Sequence, residues 1–354
     1  MENLAHTLVG AALARAGLDR LSPLAMPTAL IAANLPDIDV VGGFWGELAG
    51  LDLHRGITHS FVGIACEAPL LALMMVGWDR LSRRADAAGA PARFAGLFVV
   101  ALCGLLSHLL LDYTNSYGVR PWLPFDGHWV YGDLVFIVDP LLWLILGGAL
   151  ALAARGRRAL VGWSVLGLLL SVAVLRVRLV PLPLQVVWCA ALASIVVTRW
   201  RWRLPSTAAG RIALVGVLAY WSALAVVHHR ALAVARASAP AGEVTVLPAL
   251  ADPFHWRAYA ATADALYLRE VSVASDAVPT HWQTIERRLD LPEVRRASVT
   301  YPGAVLTNFA RFLVADVVRS GAAPVVVLTD VRFAQPGRPS WASVRIPVDG
   351  ITVR

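Results

Sequence analysis

The sequence predicts an all-α polytopic membrane bundle of about eight segments, followed by a small β-rich (α+β) soluble C-terminal domain. Of its 354 residues, 58% are hydrophobic and only 16% are charged, whereas soluble chains carry about a quarter charged residues. Apolar runs long enough to cross a bilayer recur through the first two thirds of the chain and stop after Arg236. From there, the alternation of apolar and polar residues typical of β-strands takes over.

Eight apolar stretches define the predicted transmembrane helical domain, residues 1–236, whose metal-site portion is 1–150. They cover residues 4–18, 24–36, 61–78, 94–113, 134–154, 159–175, 184–198 and 211–230. A spanning helix needs about 20 residues, and about 17 are tolerated. The first two stretches, joined by a turn at Asp19–Pro23, form a predicted hairpin that is either spanning or partly re-entrant.

Charges in the connections predict the orientation. Basic connections, which alternate with acidic ones, contain Arg15, Arg20, Arg80, Arg83, Arg84, Arg93, Arg155, Arg157, Arg158, Arg199, Arg201, Arg203 and Arg211. The acidic ones contain Asp37, Asp39, Glu47, Asp52, Asp126 and Asp133. Basic loops stay in the cytoplasm, so we expect a bacterial inner-membrane protein with both termini outside; Arg176 and Arg178 are exceptions. These loops also account for the net charge of +7 without a nucleic-acid partner.

Residues 237–354 form the predicted extracytoplasmic soluble domain, which begins with an Ala/Pro linker at Ala237–Gly242. Strand-like alternation occurs in Tyr267–Val273, Pro324–Phe333 and Trp341–Val348, and the turn-forming residues Gln335–Pro339 separate the last two. On the predicted topology this domain faces outward.

Ionisable groups near membrane segments are energetically costly and generally mark function. Here they gather at the ends of segments that the arginine pattern places outside. The candidate metal ligands are His6, Asp39, His54, His59, His108 and Asp112. His108 and Asp112 are four residues apart and share one helical face. Imidazole and carboxylate ligands without thiolates suit zinc, or else manganese or iron; we predict one or two divalent ions.

Two further residues have candidate catalytic roles. Pro36 is predicted to end the second segment and to leave Asp37 and Asp39 on opposite sides of an extended stretch. Only one of the two is then expected to bind a metal directly, and Asp39 is favoured. Asp37 is a candidate general base or, alternatively, a cap of a helix or turn. Arg55 is a candidate contact for an anionic phosphate, or an ordinary interfacial cation.

The same residues carry a resemblance to a known family. His6, NLPDID, HRGITHS and SHLLLDYTNSYG resemble the motifs of the YdjM-like predicted membrane-bound metal-dependent hydrolases, over about residues 1–150. That family is similar to the zinc-dependent phospholipase C and P1 nuclease group, in which an aspartate, a histidine and a His-x-x-x-Asp pair build a zinc cluster. Asp39, His54, His108 and Asp112 reproduce that order. No His-x-x-x-Glu follows Asp112, so the resemblance implies one or two metals rather than three.

The leading functional hypothesis is a membrane-embedded metal-dependent hydrolase. It would cleave a phosphoester of a lipid or lipid-linked substrate at the outer face, where a bound ion activates water. The alternative is a metal-ion transporter or metal-sensing membrane protein without hydrolytic activity. A transporter would place ionisable residues near the bilayer midplane, and the last three segments carry few. The sequence leaves the oligomeric state open.

Overall fold

The fold is described from a computed structural model of the chain. The structure describes residues 1–82, 89–177, 180–274, 281–319, 324–334 and 340–348. The interpretations of Arg83, Arg84, Arg178 and the turn Gln335–Pro339 fall outside the described residues. The chain divides into two compact units. The first contains Met1–Ile38, Arg55–His228 and Leu247–Phe254; the second contains Asp39–His54, His229–Val246 and the described part of His255–Arg354.

Nine helices precede the C-terminal strands in the described part of the chain. They are α1 (Asn3–Ala16), α2 (Ala25–Ala32), α3 (Glu47–Leu53), α4 (Phe61–Ser82), α5 (Phe94–Tyr113), α6 (Pro140–Leu152), α7 (Arg157–Arg176), α8 (Leu182–Arg201) and α9 (Ser206–Arg236). Each of the eight predicted apolar stretches overlaps one of these helices, and α3 is additional. Among the residues that the structure describes, five helices are long and apolar enough to cross a membrane, namely α4, α5, α7, α8 and α9, and α6 is a shorter apolar helix. The predicted helical region with apolar segments of spanning length is therefore confirmed.

The N-terminal hairpin is built from two helices that are too short to span alone. At 1.5 Å per residue, α1 is about 21 Å long and α2 about 12 Å, against about 30 Å for the hydrocarbon core. The hairpin nevertheless follows α5 along most of its length. At one end, Arg93 donates to the Leu21 carbonyl over 2.6 Å. At the other, Nδ1 of His108 lies 2.8 Å from the Ala33 carbonyl.

Small residues permit this close packing. A Cβ on Gly104 of α5 would lie 2.6 Å from the Ala32 Cβ of α2, and a Cβ on Gly10 of α1 would lie 2.7 Å from the Ala29 carbonyl oxygen. Both distances are shorter than van der Waals contact. The three helices thus approach one another through glycine and alanine, as helices within membranes commonly do.

The segment after α2 differs from the prediction. Residues Leu35–Trp45 form a 3₁₀ helix, so the expected extended stretch at Asp37 and Asp39 was wrong. Pro36 fixes its own φ near the value that a 3₁₀ helix requires, and it therefore begins this helix rather than an extended chain. With three residues per turn, Asp37 and Asp39 still project in different directions.

The C-terminal region is α+β, as predicted. One antiparallel sheet has the order β1 (Glu243–Ala249), β2 (Asp252–Ala261), β3 (Ala265–Ser272) and β4 (Gln283–Glu286). Two short helices follow, α10 (Pro292–Ser298) and α11 (Tyr301–Phe309), and then a second antiparallel sheet of β5 (Leu313–Val318), β6 (Val325–Asp330) and β7 (Ser343–Pro347). The three predicted strands overlap β3, β6 and β7. Within the second unit, α3 packs against α11.

Candidate metal centre

Four side chains from three separate parts of the first unit meet at one end of the helical bundle. Asp37 comes from the 3₁₀ helix that follows α2, and His59 from a 3₁₀ turn, Ile57–His59, that leads into α4. His108 and Asp112 lie one turn apart at the end of α5. One ligand atom from each of the four lies within 4.8 Å of those of the others. We call these four residues the candidate metal site.

The distances within this site fit a tetrahedral ion. His59 Nε2 is 3.1 Å from His108 Nε2, 3.4 Å from Asp37 Oδ1 and 3.3 Å from Asp112 Oδ2. His108 Nε2 is 3.6 Å from Asp37 Oδ1 and 3.4 Å from Asp112 Oδ2. Ligands that each lie about 2.0–2.1 Å from a tetrahedral zinc ion are about 3.3–3.4 Å from one another. The five edges therefore have the lengths that such a site requires.

Each imidazole is oriented by a partner on its other nitrogen. His108 Nδ1 lies 2.8 Å from the Ala33 carbonyl oxygen, which can only accept, so the neutral ring carries its hydrogen on Nδ1. Its Nε2 then presents a lone pair to the site. His59 Nδ1 lies 3.1 Å from the Thr58 hydroxyl. Second contacts of this kind are typical of histidines that bind metals.

Asp112 is the residue whose surroundings most favour a bound cation. Its side chain is buried, and the Oδ2 atom that faces the two histidines accepts no hydrogen bond from the residues that the structure describes. A buried carboxylate oxygen without a partner is costly, and a divalent cation at the centre of the four atoms would compensate it. The other oxygen, Oδ1, accepts from Arg55 over 2.9 Å and contacts the amino group of Met1.

Arg55 is held by the protein on several sides. Its guanidinium is buried and donates to the carbonyl oxygens of Gly118, over 2.7 Å, and Asp112, over 3.3 Å. It also donates to Asn115 Oδ1 over 3.3 Å and lies 4.4 Å over the Tyr117 ring. The backbone at Arg55 has a φ of +54°, which is strained for a residue other than glycine. In this arrangement the guanidinium braces Asp112, and the phosphate contact of Arg55 stays a prediction.

His6 lies beside the site but outside the set of four. Its ring is fully buried and stacks on His108, with 3.8 Å between the ring centroids. Its Nε2 is 3.5 Å from Asp112 Oδ1, and within the described part of the chain neither ring nitrogen has a hydrogen-bond partner. Its prediction as a ligand is thus compatible with its position, at the Oδ1 side of the carboxylate.

The remaining predicted ligands, Asp39 and His54, pair with each other. His54 Nδ1 lies 2.9 Å from Asp39 Oδ1. Both belong to the second unit, where they close the base of the segment Asp39–His54. Of the two neighbouring aspartates, the structure groups Asp37 with His59, His108 and Asp112. The side chains of Asp39 and His54 also lie close enough together to share an ion, so the preference for Asp39 as a direct ligand stays a prediction.

Asp37 is also the most accessible member of the site. Its side chain is 14% exposed, whereas those of His59, His108 and Asp112 are at most 1% exposed. Burial raises the pKa of the Asp37 carboxyl, but the hydrogen bond from His59 and the charge of His108, which these imidazoles supply when they are protonated, outweigh burial and lower that pKa below its usual value. Asp37 is therefore ionised at neutral pH and can act as a ligand or as a base.

Several groups around the site were not predicted from the sequence. Asn115, Tyr117 and Gly118 all belong to the motif SHLLLDYTNSYG, and the structure gives them a shared role around Arg55. Asn115 Oδ1 also accepts from the Tyr117 amide over 2.9 Å. The motif marked these residues, but only the fold shows their partner. The contact of the Ala33 carbonyl with His108 could not be predicted from the sequence, because any residue can supply a backbone acceptor.

Comparisons with known proteins agree with a membrane location. A family model described as YdjM inner membrane protein matches residues 1–180. The uncharacterized protein YfhP of Bacillus subtilis (strain 168) is 26% identical over 167 residues, which cover 44% of this chain and 47% of YfhP. The alignment thus spans about half the length of that relative. No solved structure matches the chain.

Proposed function

Because the chain belongs to the YdjM inner membrane protein family, we propose that it is a membrane-embedded metal-dependent hydrolase that binds its ion at the site of Asp37, His59, His108 and Asp112. The observation that carries this proposal is the set of five ligand-to-ligand distances of 3.1–3.6 Å. The donor set of two imidazoles and carboxylates suits zinc, with manganese and iron as further candidates.

The residues have different roles in this proposal. His59, His108 and Asp112, which are fully buried, are the permanent ligands, and Arg55 positions Asp112. Asp37 stands at the fourth, most accessible corner. A catalytic zinc site commonly has three protein ligands and a water, and a bound ion lowers the pKa of that water to about 7. Asp37 would accept the proton from the water, which keeps its predicted role as general base.

The proposed substrate is a phosphoester of a lipid or lipid-linked molecule. The site lies where α5, a helix long enough to span the membrane, ends, so a substrate at headgroup level would not need to leave the bilayer. The resemblance to the zinc-dependent phospholipase C and P1 nuclease group also favours a phosphoester. In that group the positions matching Asp39 and His54 bind zinc, so the pair is proposed to contribute to a second ion.

Hydrolysis assays with matched variants test this proposal. Purified protein should contain bound zinc by elemental analysis and should cleave at least one member of a phospholipid panel, with loss of activity on chelation. Asp112→Asn should lose both metal and activity. Asp37→Asn should retain most of the metal but lose activity. The control His281→Ala, an exposed residue of the C-terminal region, should change neither. Full activity of Asp112→Asn would rule out the proposed centre.

The proposed orientation places the site and the C-terminal domain outside the cytoplasm, because the arginine-rich connections alternate with acidic ones. Cysteine labelling of intact cells tests it. A reagent that does not cross the membrane should label Asp290→Cys and not Arg80→Cys. The reverse pattern would invert the topology.

A second candidate function is metal sensing or transport without hydrolysis. The observation that favours it is that the protein itself supplies all four corners of the site, three of them fully buried. Closed sites with four protein ligands are typical of structural metal centres. Stoichiometric metal without cleavage of any phospholipid would favour this reading, and metal uptake by proteoliposomes would separate transport from sensing.

A further inference from the structure

The segment Val40–Gly46 carries an unusual surface. Within it, Val40 is 69% exposed, Phe44 is 89% exposed and Trp45 is 74% exposed. Val41 is also exposed, and no charged residue interrupts the sequence VVGGFWG. Contiguous exposed apolar patches of this kind mark contact with a partner or a membrane.

The backbone of this segment presents the aromatic side chains outward. Residues Leu35–Trp45 are helical, and Gly46 turns the chain with a φ of +113°, a value that favours glycine. We call Val40–Gly46 the apolar tip. Within it, Gly42 packs against Leu53 and Ala49 of α3. The segment Asp39–His54 is thus a folded loop whose two ends are joined by the contact between Asp39 and His54.

We propose that Val40–Gly46 inserts into the headgroup boundary of the lipid bilayer, with Phe44 and Trp45 as its anchors. Tryptophan is enriched at that boundary, where its ring meets both apolar chains and polar headgroups. Of the charged residues on either side, Asp39 is paired with His54, and the exposed Glu47 would stay on the polar side. The proposal does not depend on hydrolytic activity.

The position of the segment in the chain favours lipid over a protein partner. It lies between α2, in the hairpin along α5, and α4, which is long and apolar enough to span the membrane and begins at Phe61. The segment Asp39–His54 is joined to α2 and to α4 by connections of six residues each, which span at most about 20 Å. So short a connection to a helix that can cross the membrane favours lipid as the partner of the apolar residues.

Spin-label accessibility in the full-length protein tests this proposal. Cys66, Cys103 and Cys189, the three native cysteines, are replaced with alanine, and a nitroxide is attached to Phe44→Cys in phosphatidylethanolamine/phosphatidylglycerol nanodiscs. Accessibility is measured to oxygen, which partitions into the bilayer, and to a nickel chelate, which stays in water. Leu168→Cys, 66% exposed on α7, is the lipid control, and Glu286→Cys, whose side chain is 72% exposed on β4, is the aqueous control.

The oxygen-to-nickel accessibility ratio at position 44 should exceed that at position 286 severalfold and approach that at position 168. Trp45→Cys should give the same result, so one unfavourable substitution cannot decide the outcome. A ratio like that of position 286 would show a tip in water and overturn the proposal. Exclusion of both reagents would show that protein, such as a second copy of the chain, covers the tip, and would overturn it equally.

Discussion

Replacing His108 with alanine should remove most of the stabilisation that a bound ion gives the protein. His108 Nε2 forms three of the five measured edges of the site, at 3.1, 3.4 and 3.6 Å. Its ring also connects the site to the Ala33 carbonyl of the hairpin. Loss of a residue that only orients a ligand costs about 10–100-fold in metal affinity, and loss of a ligand itself should cost at least about 100-fold.

The expected change in stability follows from mass action. With zinc at about 100 times the dissociation constant of the wild-type protein, binding raises the free energy of unfolding by about 2.7 kcal/mol. If the affinity falls about 100-fold, the same zinc concentration equals the dissociation constant of the variant, and the increase drops to about 0.4 kcal/mol. The zinc-dependent rise in melting temperature should therefore nearly disappear.

Thermal unfolding in nanodiscs, with zinc and with excess chelator, measures this difference. The wild-type protein should melt at a clearly higher temperature with zinc than with chelator, and the control His281→Ala should retain that difference. His108→Ala should show almost none. An equal zinc-dependent shift in the wild-type protein and in His108→Ala would refute the assignment of the four-atom site, because the ion would then be bound elsewhere.

Three further outcomes are expected. Arg55→Ala should weaken zinc binding about 10–100-fold, as measured by competition with a chromophoric chelator; unchanged affinity would remove its role as a brace. Gly104→Val should lower the melting temperature, because a Cβ at position 104 would lie only 2.6 Å from the Ala32 Cβ and overpacking of this kind costs about 1–3 kcal/mol. An unchanged melting temperature would contradict the close packing of α5 and α2. Arg332→Ala should destabilise the C-terminal region by about 3–5 kcal/mol, because the buried Asp330 carboxylate, which now lies 2.7 Å from the Arg332 guanidinium, would lose its charge partner. Faster proteolysis of that region would show the loss of stability.

The helical part of the fold was largely predictable because its signal is local. Every apolar stretch identified in the sequence overlaps a helix, and the requirement for about 20 apolar residues in a span is a property of the bilayer. In the C-terminal region, alternation located β3, β6 and β7. The strands β1, β2 and β4 and the helices α10 and α11 were not predicted. Brief elements such as β4 and α10 carry little periodicity, and β2, although it has 10 residues, depends on its cross-strand neighbours for its stability.

The candidate metal site was predictable only in part. His108 and Asp112 follow from helical spacing, and alternating spans explain why His59 joins them at one end. The choice between Asp37 and Asp39 depended on the local backbone, where a 3₁₀ helix replaced the expected extended chain. The role of Arg55 depended on carbonyl oxygens at Asp112 and Gly118, and a sequence does not show where such acceptors lie.

The dispersal of the ligands has a consequence for biosynthesis. Asp37 and His59 leave the ribosome well before His108 and Asp112, and the last two stand at the far end of α5. In the proposed site an ion could be held only after α5 has paired with the N-terminal hairpin. Until then the Asp37 carboxylate and the His59 imidazole would lack both the ion and their two later partners. Metal capture would therefore be a late event in membrane insertion, and metal-starved cells should accumulate chains that insert but remain open to degradation.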